Sequence, residues 1–470
     1  MMVMVELLTD QTQERTMRPH SSSQTTHQAA HKPVPSAKPV PMPLDPARDA
    51  DWQALCRLCF PPDLDELARS TGAVQRFRQV DSGALLLRLL LLYIIAGMSL
   101  REVAGFAARS GWTDCTDDAL RYRFRHAVPL LEAILAVLLV QRVRAPAFAG
   151  GKLRIVDATT ITRPGQTGSD FRLHVTYDAQ APALCGVQMT DASGGEHLQR
   201  GWFGQGDLVM ADRGLGLAKD VHEAHQRKAY CLLRVHPPNL PMQVDGGQRL
   251  DTQAVMDRAD RGLAAVPVLI PYGDKDPVPA RLLVLPLAPE VAHRARQRMK
   301  QASRKKGHTP DKRALRMAGY LFIVTTLPVE VATDKAVLSW YRVRWQIELF
   351  FKRCKGLLGL GKMNKTKEEL ARVHGLGKMI EAALIDRLVN QEQAQDPLDQ
   401  LDRRPRSFWR LTHLHAVDLL VVICGHLGLA KLLARSYPAL LHLRERPRRR
   451  LSAQSVIDQI ADSLSRSHSC

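Results

Sequence analysis

The sequence predicts an α/β protein: a sheet-bearing core broken by a β-rich insertion, with helical regions on either side. Three observations lead there. Helical patterning fills about residues 51–149. Near Lys152 it gives way to short β-type runs divided by Gly, Pro and Asp turns. A late amphipathic helix then returns around residues 341–357, after a second set of strands. A chain of 470 residues has room for about two to four domains and a large core.

Residues 1–48 read as a disordered segment, polar at first and then rich in proline at 33, 35, 39, 41, 43 and 46. Residues 49–150 read as a helical DNA-binding region. The apolar run 84–98, broken by Arg88, is too short to span a bilayer and reads as a buried helix. Ser99 and Glu102 form a capping-box pair that opens a helix to about Arg109. Gly111 supplies a turn, and Thr116 caps a helix carrying Arg121, Arg123, Arg125 and His126. Two short helices about a glycine turn, the second cationic, resemble a helix-turn-helix, although any helical bundle holds such pairs.

Residues 151–236 carry strand-like runs at 153–161, 171–177 and 184–190, then a compact apolar strand at 208–211 that ends at Asp212-Arg213-Gly214. A helical stretch to about Lys228 leads to a strand at 229–235. Three strands, then strand–helix–strand and a late helix, is the order of a ribonuclease-H-like sheet. Residues 237–328 form the β-rich insertion, with strands at 266–270, 281–286 and 320–326. Within it a basic stretch holds Arg294, Arg296, Arg298, Lys300, Arg304, Lys305, Lys306, Lys312 and Arg313. Residues 329–395 complete the core with a helix opening near Thr333, and 396–470 read as a helical, basic C-terminal region with clusters at 403–406 and 444–450.

The balance of 66 Lys+Arg against 47 Asp+Glu gives +19 and a sequence pI near 9.8, which suits a polyanionic partner. Eight cysteines contain one CxxC, Cys56 and Cys59, with no second pair at zinc-finger spacing. Reduced thiols in a cytoplasmic, nucleoid-associated protein are expected. The N-terminus has no secretory signal, and no membrane partner is expected.

Chemistry concentrates in the late helix. At about 100° per residue, Tyr341, Arg344, Glu348 and Lys355 fall on one stripe, and Lys352 joins it. Trp340, Val343, Ile347, Phe350, Cys354 and Leu357 form the opposite, apolar face. An ion-paired solvated face would explain Glu348 followed by Lys352, but Arg344 preceding Glu348 is the less favourable order. A carboxylate among phosphate-seeking cations suits metal-dependent cutting of a nucleic-acid backbone. Asp157 lies late in the first strand and Asp212 ends the fourth, at the edge where α/β sheets place their sites. Either acid could also be a turn or capping residue. Three carboxylates without a histidine cluster favour Mg²⁺ or Mn²⁺ over zinc.

Asp157, Asp212 and the run Tyr341-x2-Arg344-x3-Glu348-x6-Lys355 resemble the Asp-Asp-Glu (DDE) transposases of bacterial insertion sequences, in the insertion-sequence-four branch. The resemblance covers roughly residues 90–430, and the 136 residues from Asp212 to Glu348 fit a branch that holds a β-rich insertion there. It implies a ribonuclease-H-like core binding two Mg²⁺ or Mn²⁺ ions, with Asp157 bridging them and Asp212 and Glu348 holding one each. It implies cleavage at the element's ends, joining of the freed 3′-hydroxyls to target DNA, and a homodimer acting on paired ends of double-stranded DNA. Tyr341, Arg344 and Lys355 would grip phosphates; Arg213 and Lys352 join them through adjacency to an acid and the shared helix face. Relatives that cut through a hairpin stack a flipped base on an aromatic, but between Arg213 and Thr333 this chain has no Trp, only Tyr230, Tyr272, Tyr320 and Phe322. Two alternatives stay open: an inactive copy acting as a DNA-binding inhibitor, and a ribonuclease-H-like nuclease without strand transfer.

Overall fold

In a computed structural model, residues 46–143, 151–394, 407–425 and 453–467 are described. The expected disordered segment up to residue 45 and the basic clusters at 403–406 and 444–450 lie outside them. Six helices come first: α1 (Pro46–Cys59), α2 (Leu64–Ser70), α3 (Gly83–Ile95), α4 (Leu100–Arg109), α5 (Asp117–Arg125) and α6 (Val128–Val143). The run read as a buried helix is α3, apolar all round and enclosed by its neighbours. Its one cation, Arg88, is buried with it. Arg88 pairs with Asp49 at 2.6 Å, stacks 3.8 Å from the Trp112 ring and donates to the Ile423 carbonyl. The capping box at Ser99 forms, with the Ser99 hydroxyl accepting from Glu102 N–H and the Glu102 carboxylate accepting in return. Thr116 caps α5 as expected, and Gly111 takes the left-handed conformation that the turn between them needs.

The core is one eight-stranded mixed sheet in the order β3-β2-β1-β4-β5-β8-β7-β6. Its strands are β1 (Leu153–Ile161), β2 (Phe171–Asp178), β3 (Ala183–Asp191), β4 (Leu208–Ala211), β5 (Tyr230–Arg234), β6 (Ala264–Tyr272), β7 (Lys275–Pro286) and β8 (Tyr320–Thr325). β4 is parallel to β1 and to β5 and buried throughout, which is why it reads as an unbroken apolar run. Gly151 lets these strands close up: a Cβ there would sit 1.5 Å from the Gly206 carbonyl oxygen. One sheet face packs on helices from both ends of the chain, and the other on α7 (Ala218–Gln226) and α8 (Thr252–Ala259).

The insertion departs from its expected character. Its strands are present, but they extend the main sheet through antiparallel β7–β8 and β8–β5 pairs, and they share the segment with three helices. The basic stretch folds as α9 (Pro289–Lys305) and α10 (Lys312–Met317). The segment is therefore mixed rather than β-rich. Proline at the first turn of α9 and an Asp311 cap on α10 start these helices without an apolar stripe to announce them.

After β8 come α11 (Asp334–Tyr341), a 3-10 turn (Arg342–Arg344), α12 (Trp345–Gly356), α13 (Glu368–Ala394), α14 (Phe408–Cys424) and α15 (Ala453–Ser467). α13 packs on α3, α6 and β3, and α15 packs on α11 and β1, so described helices from before and after the sheet share one apolar core. Among the described residues no helix is long and apolar enough to cross a membrane.

Candidate active site

The parallel register of β1 and β4 ends on Val156 opposite Ala211, so the next residues, Asp157 and Asp212, lie on adjacent strands where β4 stops, while β1 runs on to Ile161. Above them lie α11 and α12, docked by the apolar face expected for this helix: Trp340, Val343, Ile347, Phe350 and Cys354 are all buried. The helix is not continuous. A 3-10 turn at Arg342–Arg344 overwinds it by about 60°, three residues at ~120° instead of ~100° each. That rotation turns the Tyr341 hydroxyl toward Asp212, 3.4 Å from Oδ1, and toward the Ala211 carbonyl at 3.3 Å. Arg344 and Glu348, four apart, keep facing each other and form an ion pair.

Arg344 is the hub. Its guanidinium pairs with Glu348, lies 4.0 Å from Asp157 Oδ2, and acts electrostatically on Asp212. Two of the acids thus lie against one cation that is only 12% exposed, and the third, Asp212, feels its charge. Burial pushes the Asp157 carboxyl up to about 6, against the pull of its hydrogen bond from Ala158 N–H and of Arg344. Burial also acts on Asp212, but Arg344, the Arg213 backbone N–H and Arg234 outweigh it and hold that carboxyl below its usual range. Burial, reinforced by the Asp212 charge, raises the Tyr341 phenol, so its hydroxyl keeps its proton and donates.

The other expected phosphate-gripping residues are placed less tightly. Arg213 follows Asp212 directly and is exposed. Lys355 is half-buried, about 10 Å along α12 from Glu348. Lys352 is exposed and lies over the Trp345 ring, 4.8 Å from its centroid. Of the aromatics considered for base stacking, Tyr272 sits beside the β6–β7 turn, at the sheet edge opposite the acids, and Tyr320 donates to Asp260.

Two residues escape sequence reading. Arg234, at the end of β5, stands 3.5 Å from Asp212, and its signal is a strand-end cation beside the strand of Asp212. Glu196, in the β3–β4 connection, lies so close to Gly214 that an added Cβ would come within 2.3 Å of Oε2, and its charge adds to the upward pressure on Asp157. Nothing in its local sequence marks it.

Among the described residues, no three of His, Cys, Asp or Glu stand close enough together to hold a metal ion as they are placed. Arg344, paired with Glu348 and 4.0 Å from Asp157, already sets a cation against two of the acids. The donor set still suits a hard divalent cation: three carboxylates with no thiolate or imidazole, one of them pressed toward neutrality by burial that a nearby cation would relieve.

Comparison with known proteins shows the family. Residues 149–380, which include all three acids, match the family described as the transposase DDE domain. The chain is 33% identical over 365 residues to the InsL protein of insertion sequence element IS186A from Escherichia coli K12, covering 76% of this chain and 96% of that one. It is 33% identical over 366 residues to the transposase for insertion sequence element IS421 of Escherichia coli, with the same coverage. The transposase for insertion sequence element IS231B of Bacillus thuringiensis subsp. berliner is 22% identical over 374 residues, covering 70% of this chain and 77% of the relative.

Proposed function

The chain belongs to the DDE transposases, in the insertion-sequence-four branch, and from that membership we propose how this DNA transposase uses its own residues. The core is ribonuclease-H-like, a reading supported by the strand order β3-β2-β1-β4-β5 in which β2 alone runs against the others. Asp157, Asp212 and Glu348 are the catalytic acids and would hold two Mg²⁺ or Mn²⁺ ions. When bound, such ions supply Lewis-acid stabilisation of the attacking and leaving oxygens of an in-line displacement at phosphorus.

The rest falls to side chains. Arg344 balances the acids in their metal-free arrangement and turns outward to a DNA phosphate when the site is loaded. Tyr341, kept protonated by burial, donates to a non-bridging phosphate oxygen. Arg213, Arg234, Lys352 and Lys355 ring the site with positive charge, compensating the phosphate charge that the acids would repel. In the first step a water oxygen bonds to phosphorus at the element's end, and the bond to the 3′-oxygen breaks, leaving a 3′-hydroxyl. In the second, that 3′-oxygen bonds to a target phosphorus, loses its proton to solvent and displaces the target strand's 3′-oxygen. Two copies act together on paired ends, so that both ends of the element are joined at one place.

The observation that carries this reading is the β1–β4 register, which sets Asp157 beside Asp212 beneath the helix of Glu348. Each of Asp157→Ala, Asp212→Ala and Glu348→Ala removes Mg²⁺-dependent cleavage of DNA carrying the element's ends while leaving binding to that DNA measurable. An acid whose variant keeps near-normal turnover has been misassigned. A wild-type product covalently joined to target DNA separates this reading from an inactive copy and from a nuclease that only hydrolyses.

A further inference from the structure

The reaction does not use the basic stretch of the insertion, yet the fold places it pointedly. Register carries Asp212 across the sheet: Ala211 pairs with Leu233, Leu233 with Val324, and Val324 with Leu282. β7 then runs on to Pro286, opposite Tyr320 at the start of β8. Because β8 is antiparallel to β5, this end of the β7–β8 pair lies at the same sheet edge as the acids. The whole excursion that carries α9 and α10 leaves and rejoins the sheet there. Three strand spacings across and about three residues upward put its base about 17 Å from Asp212. That span corresponds to about five base pairs of duplex at ~3.4 Å each.

Its charge is one-sided. Residues 287–319 hold ten Lys/Arg and two acids, Glu290 and Asp311. Asp311 is used as the α10 cap, and Arg316 is neutralised by Asp257 and Asp260. Along α9, Ala292, Ala295, Met299 and Ser303 form the covered side, while Arg294, Arg298 and Lys305 project from the open side with Lys300 and Arg304 flanking. Among the described residues no carboxylate is within ion-pair distance of these five cations. A merely solvated helix normally interleaves acids at i, i+4; this one leaves its cations to repel one another until a polyanion arrives.

We propose that α9 is a docking face for the DNA duplex flanking the cleavage point, taking backbone phosphates about five base pairs from the cut without reading sequence. The proposal rests on the active-site reading above for the position of the cut, but its binding surface is tested separately. The probe is a labelled 30-base-pair duplex of mixed sequence, titrated with the full chain from 50 to 300 mM NaCl. Arg294→Ala/Arg298→Ala/Lys305→Ala, all on the open side of the helix, weakens binding and flattens the log–log salt slope by about 0.9 for each phosphate no longer neutralised, up to about 2.7. The charge-keeping variant Arg294→Lys/Arg298→Lys/Lys305→Arg restores the slope, which a folding defect would not allow. A wild-type slope in the alanine variant overturns the proposal, as does a slope that the charge-keeping variant fails to restore. Cleavage by Asp157→Ala is read separately, on DNA carrying the element's ends; if it stays near normal, the catalytic assignment fails while the α9 docking face is unaffected.

Discussion

Arg344 stands where three negative charges would otherwise confront one another, and much of the site's behaviour follows from that position. Replacing it with alanine removes the internal counter-charge and, on the proposed reading, a phosphate contact. Arg344→Ala should therefore weaken DNA binding and flatten its salt dependence by about 0.9 in the log–log slope, and an unchanged slope would rule out a phosphate partner for Arg344. Asp157 makes a pH prediction whose sign can be worked out. Its carboxyl is about 6 in the folded chain against 3.8 ordinarily, so the fold favours the neutral acid. Well below 3.8 both states bind the proton and stability is untouched; above about 6 the native state carries a buried charge at a cost the unfolded chain avoids. In EDTA, Asp157→Asn should then melt with the wild type near pH 4 and above it at pH 7.5. Equal melting at pH 7.5 would mean that Asp157 is better compensated than its surroundings indicate. At this scale Glu348 and Arg344 stand out in the sequence because they sit in a run of fixed spacing, whereas Asp157 and Asp212 read only as acids in or at the end of strands. Arg234 and Glu196 are not, because their relation to the acids exists only through strand pairing and loop placement.

Elements are legible in proportion to how much of their pattern is local. β1 and β4 start and stop at the residues expected, since apolar runs bounded by Gly, Asp and Pro leave little freedom. The α4 cap is readable because a capping box is complete within four residues; Ser99→Ala should cost about 1 kcal/mol of stability, measured by thermal or urea unfolding, and a cost near zero would deny the cap its role. In the sequence α9 shows only as a basic stretch, because its covered side is made of Ala, Met and Ser rather than a stripe of large apolar residues. The 3-10 break between α11 and α12 is hidden too, since nothing in the sequence at Arg342–Arg344 disrupts helical periodicity. A strand-level test of the site is available at Gly151. Gly151→Ala drives a methyl into the Gly206 backbone and should loosen the β1–β4 pairing that aligns Asp157 with Asp212. DNA cleavage should fall well before the helical signal in circular dichroism changes, and full cleavage in this variant would show that the alignment tolerates a shift.

At the scale of the whole molecule, the acids come from positions 157, 212 and 348, separated by connections that the sheet folds back on itself. The described helices before and after the sheet close over one shared core. This is only partly legible. The order of strands and helices can be read along the chain, whereas the joining of β6 and β7 to the main sheet depends on β8 pairing with both β5 and β7. The active assembly on DNA should contain at least two copies, and sedimentation or mass photometry on paired ends should show it; full strand transfer by a species that stays monomeric on DNA would contradict it. On the proposed reading, Asp157, Asp212 and Glu348 jointly bind divalent metal. Crystals of the chain with its end DNA and Mn²⁺, probed by anomalous scattering, should show density within about 2.0–2.3 Å of carboxylate oxygens from all three acids, with Arg344 displaced onto a phosphate. Mn²⁺ density away from these acids, or Arg344 still seated between them in the DNA-bound, metal-loaded crystal, would contradict it.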